Sequence, residues 1–290
     1  MSLAKSLLLA LPLLLLAAAV LALAVNARDR AEARRVEVTL AALAQPDPPR
    51  FDPAMTADLP EVAQRYFARA IAPGTPLHRV VQLEMSGSFT LNGTDLPMTA
   101  RQILAPPAGG FVWQATIGQG LTRFAGSDGH STLGPAEDSW TRFWLHNLIP
   151  LARIGGTEDH ARAAATRTMM EAIWAPASLL PGNGVTWVQT GPDSAEIRLT
   201  APDGPAPMTL TLNGAGDPVE VVALRWSDAN PQRRHRLQPF GGRVLDTAEF
   251  EGFRIPVRVE LGNMYGTPEH APFFRAAISR ARFAPDPTPR

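Results

Sequence analysis

The sequence predicts an α+β fold that is mostly β. An N-terminal membrane helix is followed by a curved antiparallel sheet, or unclosed barrel, of about eleven strands wrapped around one or two helices. Three observations carry this prediction. Residues 7–25 are nineteen consecutive positions without a charge, preceded by Lys5 and followed by Arg28, Arg30, Arg34 and Arg35. Beyond residue 80 the apolar residues recur with period two, in short runs separated by turn signals. One helical stretch, 157–174, stands between two groups of such runs.

The apolar segment covers roughly 29 Å as a helix, close to the ~30 Å hydrocarbon core of a bilayer. Two readings fit it. An uncleaved anchor suits its length, which exceeds the usual signal-peptide core. A cleaved signal suits Lys5 and the small-x-small pattern of Ala22-Leu23-Ala24. Orientation is also open. The four arginines after the span would hold the domain in the cytoplasm. A short N-terminus ahead of a large domain instead fits an exported, single-pass protein of the bacterial cytoplasmic membrane, with its domain extracytoplasmic. The segments follow: 1–27 as transmembrane anchor or signal, 28–57 as a short helix and proline-rich linker, and 58–290 as a β-rich half-barrel.

Composition narrows the classes. The chain has 27 basic and 27 acidic residues, and its only dense basic run is Arg233-Arg234-His235-Arg236. A nucleic-acid binder would carry a basic face, so nucleic acid is not expected as a partner. With 45% hydrophobic and 19% charged residues the chain is globular. The absence of cysteine excludes disulfides, thiolate metal sites, a cysteine nucleophile and a lipidated cysteine. Twenty-eight prolines and 23 glycines cut the chain into short pieces, which suits many strands.

The elements read in order. Residues 28–45 continue the first helix, and 46–53 is proline-rich. Asp58 is placed to cap a helix with Pro60 near its start, carrying Val62, Ala63, Tyr66, Phe67, Ala70 and Ile71 on one side. Val81, Leu83, Met85, Gly87, Phe89 and Leu91 alternate with polar residues, and Asn92-Gly93 is a hairpin signal. Strands are expected at 98–104, 111–117 and 121–125, with Gly126-Ser127-Asp128-Gly129 as a turn. Residues 140–154 are apolar but interrupted by Pro150, and helix-then-strand fits them. Thr157 is a good N-cap, with Glu158 and Asp159 favoured by the helix dipole. Seven further strands follow: 185–189, 196–201, 208–212, 219–226, 244–250, 255–261 and 273–283.

Several runs together resemble a family of uncharacterised bacterial proteins of unknown function. They are Arg65-Tyr66-Phe67, Gln102 to Pro107 leading to Gly110-Phe111-Val112-Trp113, Glu171 to Pro181, Pro239-Phe240-Gly241-Gly242, Ile255-Pro256 and Phe273-Phe274-Arg275. The likeness covers about residues 58–284. The fold pattern is also similar to the Lol-type lipoprotein-carrier superfamily, where an unclosed barrel wraps helices around an apolar cavity. That second resemblance implies an apolar ligand. The chain departs from those carriers in lacking a lipidated cysteine, which sets it apart from a freely shuttling carrier.

No motif calls for a metal or a cofactor. The six histidines form no metal-spaced pair, and there is no nucleophile elbow or phosphate loop. Asp128 and His130 lie two apart around Gly129, as a ligand pair or acid–base pair on one side of a strand would, but a solvated turn is the reading the sequence favours. Glu158, Asp159 and His160 suit a helix start. Glu171 reads either as a surface partner of Arg167 four residues back or as a buried acid. Large apolar residues are the other candidates: Met85, Phe89, Trp113, Phe124, Met169, Trp174 and Trp187 would converge if the sheet curls over the helix. They would then line a pocket for a lipid, an acyl chain or an acylated partner protein, or pack as core. Three functions therefore stand: an anchored domain binding an apolar ligand without catalysis, an envelope structural or interaction module, and an enzyme using Asp128, His130 and His160.

Overall fold

The computed structural model describes residues 3–107, 109–133, 138–200 and 204–284. Its helices are α1 (Leu3–Ala41), α2 (Glu61–Ala70) and α3 (Glu158–Met170). Six strands precede α3: β1 (Val81–Leu91), β2 (Thr94–Ala105), β3 (Gly110–Ile117), β4 (Phe124–Ser131), β5 (Asp138–Leu145) and β6 (Ile149–Gly155). Seven follow it: β7 (Val185–Gln189), β8 (Ser194–Leu199), β9 (Met208–Leu212), β10 (Pro218–Ser227), β11 (Arg236–Phe250), β12 (Phe253–Asn263) and β13 (Ala271–Phe283).

All thirteen strands form one antiparallel sheet, in the order β6-β5-β4-β3-β2-β1-β13-β12-β11-β10-β9-β8-β7. Two meanders are stitched together where the first strand pairs with the last, from Val81 opposite Phe283 to Phe89 opposite Phe274. The edges β6 and β7 do not pair, so the barrel stays open. The connection between these edges is the segment containing α3. It crosses the concave side and packs on β10, β5 and β4. Helix α2 covers the C-terminal meander at β7, β8 and β12.

The strand count exceeds the expected eleven because 140–154 is a hairpin, β5–β6, not helix then strand. Pro150 is tolerated because β6 is an edge. The expected turn at 126–129 is also corrected: these residues lie inside β4. Gly126 and Gly129 serve close approach instead of a turn. A Cβ on Gly129 would stand 2.3 Å from the Trp140 ring, and one on Gly126 would stand 1.9 Å from the Arg142 carbonyl oxygen. Asp58 does not cap α2. Pro60 holds that position, while Gln64 Nε2 donates back to the Ala57 and Leu59 carbonyls. Thr157 does cap α3, accepting from the His160 N–H, and the last turn to Trp174 tightens to 3-10 geometry.

Helix α1 runs unbroken past residue 27. It is long and apolar enough to cross a membrane. Leu11, Leu13, Leu14, Leu15, Leu16, Val20, Leu21 and Leu23 are exposed. From Asn26 onward the helix lies on the convex face of the N-terminal meander. Ala33, Val36, Leu40 and Ala41 pack there with Val80, Ile103, Ala105, Val112 and Trp140 as a second core. The main core fills the concave side.

Candidate functional site

The concave face encloses a cavity of about 380 Å³, within the ~300–1,000 Å³ range of small-molecule sites. Its walls are apolar, from Phe89 and Leu91 on β1 through Trp113 and Ile117 on β3 to Phe273 and Phe274 on β13. The end of α3 and the following turn make the floor with Met170, Ile173 and Trp174, all buried.

Phe89, Trp113, Phe124 and Trp174 line the cavity. Met85, Met169 and Trp187 do not. Met85 and Met169 are buried in the core. Trp187 packs on Tyr66 and Phe67 with ring centroids 5.4 Å away in each case, and its Nε1–H donates to the Leu179 carbonyl. Trp174 likewise donates to the Pro256 carbonyl at 3.0 Å. Trp113 differs from both: it is buried, and its Nε1–H meets no acceptor among the described residues.

A polar cluster, of which the sequence displays only the Arg167–Glu171 pair, sits beside the floor. Arg167 donates from Nη1 to Asp128 Oδ2 and from Nε to Glu171 Oε1, at 2.5 and 2.6 Å. The two carboxylates hold its guanidinium pKa above the ordinary arginine value despite the opposing pull of burial. Glu171 also accepts from the buried Gln102 Nε2. The Arg167–Glu171 pair expected from spacing therefore exists, but it is buried and not on the surface. Arg225 also lines the cavity. It lies over the Phe240 ring and donates Nε–H to the Ala163 carbonyl, and among the described residues no carboxylate pairs with it. Burial, followed by Arg167, lowers its pKa.

The solvated-turn reading of Asp128 and His130 is overturned. Both lie in β4, and His130 is only 2% exposed. Thr141 bridges Asp128 to His160: its hydroxyl donates to Asp128 Oδ1 at 2.9 Å and so must accept from His160 Nε2 at 3.0 Å. His130 Nδ1 meets Thr168 Oγ1, whose hydrogen goes to the Ala164 carbonyl. Burial lowers both histidines, and His160 adds to the effect on His130, which falls to about 4. Both rings are neutral at pH 7. Both oxygens of Asp128 and of Glu171 are engaged by protein donors, an arrangement that ties α3 to the sheet. Among the described residues no group of three or more His, Asp or Glu is placed to hold a metal ion.

A larger hollow of about 960 Å³ lies between α1 and the convex face. Many charged side chains line it, including Arg30, Arg34, Glu84, Arg123, Arg280 and Arg282. The apolar concavity is the better shaped for a small ligand.

Fold and cavity together define a class: an open antiparallel half-barrel with an apolar hollow, carried on a helix of membrane-spanning length. The chain belongs to a family of unknown function (DUF6544), whose model matches residues 49–276. It is 36% identical over 131 residues to the outer-membrane lipoprotein LolB of Shewanella amazonensis. That match covers 41% of this chain and 57% of the relative's length. Two solved structures overlap at a TM-score of 0.41, a level that does not equate the folds. One is an outer membrane lipoprotein-sorting protein domain from Vibrio parahaemolyticus, 14% identical, covering 77% of this chain and 91% of that one. The other is a DUF1329 family protein from Desulfovibrio piger, 9% identical, covering 71% and 86%.

Proposed function

We propose that this protein is a membrane-anchored domain that binds an apolar ligand, a lipid or the acyl chain of a lipidated partner, in the concavity of its sheet, without catalysis. The observation that carries this is the 380 Å³ cavity walled by aromatic and aliphatic side chains. Each methylene buried there is worth about 0.8 kcal/mol, so a modest length of chain gives useful affinity. The partial match to an outer-membrane lipoprotein of the Lol type points the same way. The polar groups give the ligand a direction. Among the described residues Arg225 has no carboxylate partner and Trp113 Nε1–H has no acceptor, so an oxygen-bearing ligand head has a cation and a donor to meet in the cavity while the tail lies along its apolar walls. The anchor reading of residues 7–25 keeps such a domain at a single-pass position in the cytoplasmic membrane, with its domain on the extracytoplasmic side.

The test uses a chain starting at Asn26, which removes only the helix before the docked segment. It is purified without detergent and analysed by lipid mass spectrometry and by uptake of a fluorescent fatty acid. A stoichiometric acyl species, with uptake reduced at least several-fold in a Trp113→Ala variant that still melts cooperatively, is the expected result. An empty protein that takes up no added lipid sinks the reading and leaves a structural module. Equal uptake by wild type and Trp113→Ala moves the ligand elsewhere.

A further inference from the structure

Helix α1 fixes more than attachment, because its path over the sheet has a direction. Asn26 Nδ2 donates to the Asn147 carbonyl at 2.9 Å, at the β5–β6 turn. One turn on, Asp29 accepts from Arg153 Nε and Nη2, at 3.2 and 3.0 Å, and from Trp144 Nε1 at 3.2 Å. Glu32 takes Arg142, and Glu37 takes Arg101 and Gln114. Leu40 and Ala41 finish among Ile103, Ala105 and Val112, towards the opposite ends of β2 and β3. The helix therefore enters at the end of the meander that carries the β1–β2, β3–β4 and β5–β6 turns. Residues 7–25 project beyond that end.

The surface around this exit is apolar where a water-facing rim would be polar. Leu121, in the β3–β4 turn, is 89% exposed; Ile149 and Leu148, at the β5–β6 turn, are 57% and 40% exposed. His146 Nε2–H donates to the Leu121 carbonyl and binds the two turns together beside Asn147. Arg30 and Arg123, both exposed, flank the patch with charge suited to lipid phosphates. Among the cavity's lining residues, the exposed Leu91 and Leu151 and the half-buried Phe89, Leu261, Phe273 and Phe274 stand near this same end of their strands, while Met170, Ile173 and Trp174 at the floor are buried.

We propose that this end of the sheet rests on the bilayer holding residues 7–25, with Leu121, Leu148 and Ile149 in its interfacial layer, so that the cavity opens onto the lipid. A span of roughly 29 Å ending at Val25 puts the Asn26–Asn147 bond at the interface. The clamp from Asn26 to Glu37 then prevents the domain from swinging on a tether. A ligand passes between membrane and cavity without crossing water. The inference rests on residues 7–25 remaining as an anchor. It does not depend on what the cavity holds.

The absence of cysteine makes the test direct. Leu121→Cys, Ile149→Cys and Leu133→Cys are made in the full chain, labelled with a polarity-sensitive fluorophore and placed in vesicles of phosphatidylethanolamine and phosphatidylglycerol. Leu133 is an exposed leucine beyond the opposite end of β4 and serves as control. Nitroxide lipids should quench positions 121 and 149 several-fold more than 133, with blue-shifted emission at the first two. Equal, water-like signals at all three overturn the proposal. Intact mass of the chain recovered from membranes separates the two ways to fail. Loss of residues 1–24 removes the anchor, and with it this orientation, yet leaves fatty-acid uptake by the cavity untouched.

Discussion

The two meanders of the sheet are held in different ways. In the C-terminal half, β7–β13, α2 lays Tyr66 and Phe67 on Trp187 among Val185, Ile197 and Leu210, and its charged ties, Arg65 to Asp193 and Arg69 to Asp217, run along the rim of that apolar packing with partly exposed arginines. In the N-terminal half, β1–β6, helices on both faces are tied down by buried charge. Asp29 fastens α1 to the convex side, and Arg167 with Asp128 and Glu171 fastens α3 to the concave side. An apolar layer tolerates repacking, whereas a buried ion pair is costly to leave half-made. The half on which α1 lies is therefore the half whose geometry depends more heavily on buried charges.

The largest break should come at Arg167. Arg167→Ala strands Asp128 and Glu171 without their shared cation, both on largely buried side chains. A loss of about 3–5 kcal/mol is expected. Urea unfolding of the chain starting at Asn26 measures it. A loss below about 1 kcal/mol would mean that water replaces the guanidinium and that the tie is weak.

Asp29→Ala comes next and sharpens the contrast between the halves. It removes the acceptor of Arg153, Arg142 and Trp144 Nε1 from a position that is 3% exposed. About 2–3 kcal/mol is expected. Hydrogen exchange should locate the loss in the docked part of α1 and in β5–β6, with β10–β12 unchanged. Uniform loss of protection across the sheet would show that the halves unfold as one unit and that the contrast has no energetic meaning.

The same contrast decides what could be read from the sequence. Where one face is covered, alternation marks the strand, as in β9, where Met208, Leu210 and Leu212 are buried and the residues between are half-buried. Where both faces are covered, alternation disappears. Ile103-Leu104-Ala105 and Phe111-Val112-Trp113 are unbroken apolar runs with every residue buried, and that is the signal for the second layer on the convex side. The layer itself is written in α1 at helical spacing, Ala33, Val36, Leu40, but nothing local says which surface it meets. Gly126 and Gly129 mislead because glycine marks a close backbone approach as readily as a turn. At the site, aromatic size and inward phase place Phe89, Trp113 and Phe124 on the cavity wall. Arg225 and Thr141 were not legible, since their importance depends on partners 62 and 13 residues away. The Arg167–Glu171 pair was legible because it is local; Asp128, the other half of that tie, was not.

The smallest effect is a pH dependence confined to the N-terminal half. An unfolded histidine titrates near 6.5, whereas His130 titrates at about 4, because burial against α3 disfavours its cation. Between those values the unfolded chain takes up a proton that the folded chain refuses, so acidification favours unfolding. The contribution is complete above pH 6.5 and is lost as pH falls towards 4. Moving from pH 7 to pH 5 should cost about 2 kcal/mol through this residue. His160, lowered by its own burial, acts in the same direction. Melts of the wild type and His130→Asn across that range measure the difference in slope. The variant should lose most of the dependence, and exchange protection at mild acid should fall first in β3–β5, where His130 pairs with Phe111 and Ser139. If the slopes coincide, the histidine already takes up its proton in the folded state. The concave face of the N-terminal half would then be wetter than its packing implies, and its polar tie less protected from solvent than the burial of Asp128, Arg167 and Glu171 suggests.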